Sequence, residues 1–173
     1  MQLVAASDGE LEAVAALINS AYRGESSRQG WTTEADYLDG QRIDAEALRA
    51  EFAANPGAIM LVLREADDHP LLGCVWLAPD GSDAWYLGMF TIRPDLQDRQ
   101  LGRGLLAEAE AFARGRGARC MRMQVVSIRD TLIAWYARRG YAPTGEMRPF
   151  PYDSRFGIAK RNDLEFIVLE KAL

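Results

Sequence analysis

Six residues, Arg99-Gln100-Leu101-Gly102-Arg103-Gly104, set two glycines among two arginines just before an Ala- and Leu-rich stretch. That composition suits an anion. The first backbone N–H groups of a helix have no partner within it, and the helix dipole adds partial positive charge at that end. Glycine lets a phosphate approach those N–H groups without a Cβ in the way. Each charge-assisted hydrogen bond so formed contributes about 1.5–3 kcal/mol. Arg99 and Arg103 add cationic donors at the rim. The same glycines would equally serve a plain strand-to-helix turn that needs them for geometry alone. Two other phosphate loops fit poorly. A Walker A loop needs a lysine, and none lies here. A dinucleotide fingerprint should follow the first strand of a parallel sheet, whereas three strands read as antiparallel precede this segment.

The elements around this loop follow from periodicity. Residues 2–6, 58–64, 71–78, 84–92, 119–126 and 164–170 read as strands, and another strand region begins at Tyr141. "EADDHP" and "PDGSD" read as the turns between the early strands. Ser7 and Glu10 form a capping box before a helix whose buried face carries Leu11, Val14, Ile18 and Tyr22. Asp44 caps a second helix. A third runs through Leu105, Leu106, Ala109 and Phe112, with Glu110 and Arg114 expected to pair on its outer face. A fourth holds Leu132, Ile133 and Tyr136 and stops at Gly140. Residues 23–42 lose all periodicity and read as a long polar loop, with a helical turn near 33–38. The expectation is an α/β (α+β) chain with a largely antiparallel front half and a βαβ-like unit over 84–126.

Length and composition bound the rest. At 173 residues the chain reads as one domain, 1–173, able to bury a substantial core. Hydrophobic content of 49% and charged content of 26% are those of a globular protein. A net charge of −5 argues against a nucleic-acid partner and favours cationic small partners. One histidine and two distant cysteines, Cys74 and Cys120, offer no metal site and read as a lone turn residue and free thiols. No signal peptide or membrane-spanning run is present, so a cytoplasmic location with no membrane partner is expected.

Arg99 to Gly104 matches the R/Q-x-x-G-x-G/A motif of the GNAT superfamily, the Gcn5-related N-acetyltransferases. The likeness extends through "YLGMFTIRP" upstream and continues in "TLIAWYARRGYAPTGE", which resembles that family's fourth-helix motif. It covers about residues 86–146; the first 80 residues match only in the order of elements. The resemblance implies a mixed, mostly antiparallel sheet of about six or seven strands flanked by about four helices. It implies transfer of an acyl group, usually acetyl, from acetyl-CoA (coenzyme A) to an amine. Backbone amides from Gln100 to Leu105 would hold the pyrophosphate. Phe90, Thr91 and Ile92 would run beside the pantetheine arm. The side chains of Arg99 and Arg103 would add contacts.

The chemistry sets further requirements. An alkyl ammonium with a pKa near 10 is free base for about one molecule in a thousand at pH 7, a cost of about 4 kcal/mol. A base, or a site that disfavours the ammonium, must supply this. An oxyanion forms in the tetrahedral intermediate, and the departing thiolate takes a proton. Tyr136 stands at the family's tyrosine position and would act as the acid; the alternative is a core tyrosine sharing a helix face with Leu132. Two departures stand out. Arg129 occupies the usual Asn position near the start of the fourth helix, where the cofactor is contacted. Tyr86 occupies the position where many members carry a Glu base. The base is then Glu34, from the long loop, or water leading to bulk solvent.

Acceptor recognition is expected in two irregular segments. The first loop carries Trp31, Glu34, Tyr37 and Asp39, an aromatic and carboxylate set suited to a cationic amine; surface packing is the other explanation. Residues 147–163 carry Phe150, Tyr152 and Phe156 as a pocket wall, with Arg148, Arg155, Lys160 and Arg161 suited to a carboxylate on the acceptor. A small-molecule primary amine, with an amino-acid-like acceptor as one case, is the expected partner. Assembly as a homodimer is compatible with this reading. A second reading keeps the fold and the cofactor loop but makes the chain a non-catalytic acyl-CoA-binding domain.

Overall fold

Side-chain alternation along the strands builds two separate cores. In β3 (Ile59–Arg64), Met60 and Val62 face one way and Leu61 the other. In β4 (Gly73–Asp80), Cys74 and Trp76 join the first set, and Val75 and Leu77 the second. Successive residues of a strand point to opposite faces, so a sheet apolar on both sides needs helices on both. α1 (Leu11–Tyr22) and α2 (Ala45–Ala54) cover one face with Val14, Ile18 and Leu48. α3 (Leu101–Arg114) and α4 (Asp130–Ala137) cover the other with Leu105, Leu106, Ala109 and Tyr136.

The computed structural model describes residues 1–173. Its main sheet has seven strands in the order β1-β3-β4-β5-β6-β9-β7, completed by β1 (Gln2–Ala5), β5 (Ala84–Ile92), β6 (Cys120–Val126), β7 (Ala142–Pro149) and β9 (Glu165–Ala172). All neighbours pair antiparallel except β5 and β6. This is the expected mostly antiparallel sheet flanked by four helices. Two-residue strands β2 (Leu38–Asp39) and β8 (Ile158–Ala159) pair across the two irregular segments and close a third apolar cluster around Tyr37, Phe150 and Phe166.

Several local expectations hold and several shift. The Ser7–Glu10 capping box forms, with Ser7 N–H donating to Glu10 Oε2 at 2.8 Å. β4 runs through Pro79 and Asp80, so the turn before β5 is shorter than "PDGSD" suggested. The loop of residues 23–42 holds a 3₁₀ turn, Glu25–Gln29, as well as β2. Glu110 does not pair with Arg114. It is buried, accepting from Tyr141 Oη at 3.0 Å and Lys171 Nζ at 2.7 Å. Its neighbours Ala109 and Ala113 lie wholly in the core, which turns Glu110 inward toward β9. Cys74 is buried and Cys120 half-buried; both are free thiols. No helix is long and apolar enough to cross a membrane, and no cluster of three His, Cys, Asp or Glu side chains is poised to hold a metal.

Candidate active site

β5 and β6 pair only from Ala84–Cys120 to Tyr86–Arg122, and beyond that point the strands part. The opening begins beside a bulge in β5. Thr91 pairs with Cys74 and Gly88 with Trp76, so Met89 and Phe90 together oppose Val75. Met89 adopts φ 47°, a left-handed conformation rare for a non-glycine residue. The extra residue reverses the facing pattern: Leu87 and then Phe90 and Ile92 lie on the α3–α4 side. Thr91 itself turns away into the sheet, where its Oγ1 donates to Met89 O at 3.1 Å.

On the open edge of β5 both carbonyls already have donors. Tyr22 Oη donates to Phe90 O, and Gln97 Nε2 donates to Ile92 O at 3.2 Å. A strand residue projects its N–H and C=O to the same edge, so the N–H groups of Phe90 and Ile92 face the gap as free donors. Gln97 also ties in the first loop, accepting from Trp31 N–H at 2.9 Å and donating to Thr32 Oγ1 at 2.8 Å.

The glycine loop differs from expectation in one respect. The left-handed residues are Asp98, φ 68°, and Gln100, φ 64°, whereas Gly102 and Gly104 are ordinary helical residues in the first turn of α3. Glycine serves clearance here. A Cβ on Gly104 would meet nothing within 4 Å, and one on Gly102 would touch Trp135, Ile92 and Phe90 at 3.6–3.9 Å. Gly104 N–H bonds Gln100 O at 3.1 Å, leaving the N–H groups of Leu101, Gly102 and Arg103 without helical acceptors. Leu101 is half-buried, and Leu105 is core beneath the loop.

Two cavities flank the gap. The first, about 280 Å³, is bounded by Phe90, Ile92, Gln100, Gly102, Arg103 and Trp135. Arg139 stacks on the Trp135 ring at 3.5 Å, and Trp31 lies 6.2 Å from the same ring. The second, about 530 Å³, lies toward α1, α2 and β8, with Tyr86, Phe150 and Phe156 in its wall. Tyr22, Phe90, Leu132 and Tyr136 line both. Tyr136 is buried at this junction. Desolvation, reinforced by the neighbouring Tyr22, pushes its pKa far up, so its hydroxyl stays protonated.

Several expected site residues fall elsewhere. Glu34 is no open loop carboxylate. It is buried, hydrogen-bonded to Arg23 and, at 3.2 Å, to Arg129 Nη1. Desolvation would raise its pKa, but the charges of Arg129, Arg42 and Arg23 together hold it below the ordinary carboxylate value. A carboxylate so committed is a poor proton acceptor. Arg129 faces the second cavity rather than the glycine loop, donating to Thr32 O at 2.6 Å. Trp31 lines the first cavity, not the second. Tyr152 is 51% exposed and packs behind Phe150, its hydroxyl accepting from Leu164 N–H at 2.7 Å. Arg99 is exposed and lines neither cavity. Tyr37 is buried, and Asp39 pairs with Lys160 at 3.0 Å. Sequence reasoning missed Tyr22, Arg42, Gln97, Trp135 and Arg139. Trp135 and Arg139 adjoin the fourth-helix motif and were within reach; nothing local marks the others.

Comparison with known proteins agrees with this geometry. The profile of the Acetyltransferase (GNAT) family matches residues 11–141. A protein provisionally assigned as a phosphinothricin N-acetyltransferase is 19% identical, with 99% of this chain and 98% of that one aligned at a TM-score of 0.71. The ribosomal-protein-alanine N-acetyltransferase from Brucella melitensis is 18% identical over the whole of both chains, TM-score 0.70. A GNAT family acetyltransferase from Elizabethkingia anophelis, solved with acetyl-CoA bound, is 14% identical over 74% of this chain and 83% of that one, TM-score 0.60. No curated protein matches the chain by sequence.

Proposed function

This chain belongs to the GNAT acetyltransferase family, and we propose that it transfers acetyl from acetyl-CoA to a primary amine of a small molecule. The observation that carries the proposal is the meeting of two cavities at Tyr136, one beginning at the N-terminus of α3 and the other away from it. The residues of the first fit coenzyme A. Leu101, Gly102 and Arg103 offer three free N–H groups to a pyrophosphate, the space beside Gly104 is clear of protein atoms, and Arg103 and Arg139 add positive charge. The N–H groups of Phe90 and Ile92 offer sheet-like bonds to the pantetheine amides and a donor for the oxyanion.

Tyr136, whose hydroxyl burial keeps protonated at neutral pH, relays a proton: it donates to the departing thiolate and recovers the N–H proton that the amine gives up in the tetrahedral intermediate. Glu34 orients rather than deprotonates. With Arg23 and Arg129 it forms a buried triad that fixes the first loop against α1 and the start of α4. The amine then loses its proton to water in the second cavity, and desolvation there favours the neutral form.

The test is a panel of small primary amines with acetyl-CoA, following thiol release and acetylated product. Turnover with at least one amine, abolished in Tyr136→Phe while coenzyme A still binds, is the expected result. Coenzyme A binding with no turnover on any amine would establish the non-catalytic reading instead. No binding of coenzyme A would remove both.

A further inference from the structure

We propose that Arg42 seats an anionic group of the acceptor, so that the acceptor is a short amine bearing a carboxylate or another oxoanion. The inference deepens the proposed function and rests on it.

Five arginines line the second cavity, against two glutamates. Four of the five are spoken for. Arg23 and Arg129 hold Glu34, Arg148 pairs with Glu146 at 2.7 Å, and Arg155 pairs with Asp153 at 2.7 Å. Arg42 alone touches no carboxylate: its charge acts on Glu34 only from beyond contact distance, and its Nε is buried with no hydrogen-bond partner. Its guanidinium is held instead by aromatic faces, 5.0 Å from the Tyr22 ring centroid and 5.5 Å from that of Phe156. Ring faces attract the cation but satisfy none of its N–H groups, which lie in the guanidinium plane. A half-buried guanidinium with open donors on a cavity wall is costly unless an anion completes it. Its planar fork matches the two oxygens of a carboxylate, phosphonate or phosphinate.

The seat is also preorganised. Asn19 Oδ1 accepts from Arg42 N–H at 2.6 Å and from Ile43 N–H at 3.3 Å, and Asn19 Nδ2 donates to Ile43 O at 2.7 Å. These bonds pin the backbone at Arg42 to α1. The same Tyr22 that supports Arg42 donates its hydroxyl to Phe90 O at the open edge of β5. One tyrosine side chain therefore spans from the anion seat to the edge where the acyl group is to be attacked. That span suits an amine only a few atoms from its oxoanion. The cavity is locally cationic although the whole chain carries −5. The net charge pointed to cationic partners; an amine that also bears an oxoanion meets that expectation at one end and this cavity at the other.

The experiment compares three sets of acceptors under saturating acetyl-CoA: amino acids, aminoalkyl phosphonates and phosphinates, and the uncharged amides of the same amino acids. With the wild-type protein, kcat/KM for at least one oxoanion-bearing amine should exceed that of its amide by tenfold or more. The carboxylate and phosphorus arms identify which oxoanion is seated. Arg42→Gln should raise the KM of the preferred acceptor at least tenfold, leave its amide unaffected and leave the Kd for coenzyme A unchanged. Amides used as well as acids by wild type would overturn the anion seat and leave the acetyltransferase reading standing. So would an acid-over-amide ratio that survives Arg42→Gln. No turnover in any arm overturns the anion seat, and the primary-amine panel then decides the acetyltransferase reading separately. The wild-type comparison decides the matter even where Arg42→Gln fails to fold.

Discussion

The hydroxyl of Tyr22, the last residue of α1, donates to the carbonyl of Phe90 on the free edge of β5, joining positions 68 apart in sequence. Burial raises the pKa of Tyr22, so the donor persists at neutral and mildly alkaline pH. Tyr22→Phe keeps the ring beneath Arg42 and removes only this bond. The expected loss of stability is about 0.5–1.5 kcal/mol, read by urea unfolding. kcat should fall as the edge loosens, with little change in acceptor KM. An unaltered unfolding midpoint would mean that the bond contributes nothing.

Tyr136→Phe should lower kcat by roughly 10²–10⁴ with coenzyme A affinity nearly unchanged. The wild-type pH profile adds a signed expectation. The pKa of Tyr136 is raised, so its proton is present at every pH below that raised value. Rates measured up to about pH 9 should therefore show no alkaline limb that disappears in Tyr136→Phe, because an unperturbed tyrosine titrates only near 10.

Glu34→Gln removes the charge shared by Arg23 and Arg129 and leaves two buried cations facing one another. The cost should be about 3–5 kcal/mol in chemical unfolding. The folded pKa of Glu34 is depressed below its ordinary 4.5, so its stabilising contribution is complete above that value and is lost as pH falls through the lower, folded one. Wild type should thus lose its advantage over Glu34→Gln below about pH 4.5, where unfolding midpoints measured from pH 7 downward will converge. The acidic limb of kcat should be the same in both proteins. Its loss in the variant would return Glu34 to the role of base.

Trp31 faces the first cavity, so Trp31→Ala should weaken coenzyme A several-fold by calorimetry and leave the acceptor KM alone. The opposite pattern would place the acceptor on the wrong side of β5.

Gly102→Val should fold, since its Cβ meets neighbours only at van der Waals distance. It should bind coenzyme A at least tenfold more weakly, about 1.4 kcal/mol. Gly104→Ala should raise stability by up to about 1 kcal/mol, as expected for glycine replaced inside a helix. A Gly102→Val protein with wild-type affinity would leave the glycines a purely structural purpose.

The features legible in the sequence were those with short-range signatures. The apolar runs of β3 and β4 disclosed the strands, and the helical period of α1 and α3 disclosed their buried faces; that the sheet is covered on both sides emerged only from the structure. The glycine spacing and Tyr136 lay in contiguous motifs. What escaped depended on partners far along the chain. The Met89 bulge exists only in the register of β5 against β4, and a strand pattern read alone cannot count residues on its neighbour. Glu34 looked free because its partners Arg23 and Arg129 lie 11 and 95 positions away. Arg42 looked like any loop arginine, because the absence of an ion partner is visible only once every carboxylate has been placed. β7 was expected from Tyr141 onward, but it is exposed throughout, so its eight residues carried no hydrophobic alternation to fix where it ends.

The pinning of the first loop by Gln97 has a temporal consequence. Gln97 bonds Trp31, Thr32 and Ile92 at once, just upstream of the turn that presents the α3 amides. Whatever disturbs that turn also tugs on the strand edge and on the loop that walls the first cavity. Under the proposed function, occupancy by the carrier and the position of the loop should be coupled through one amide side chain. The expected order is then carrier first, with the acceptor meeting a site already closed on one side, and product-inhibition kinetics would show that order or a random one.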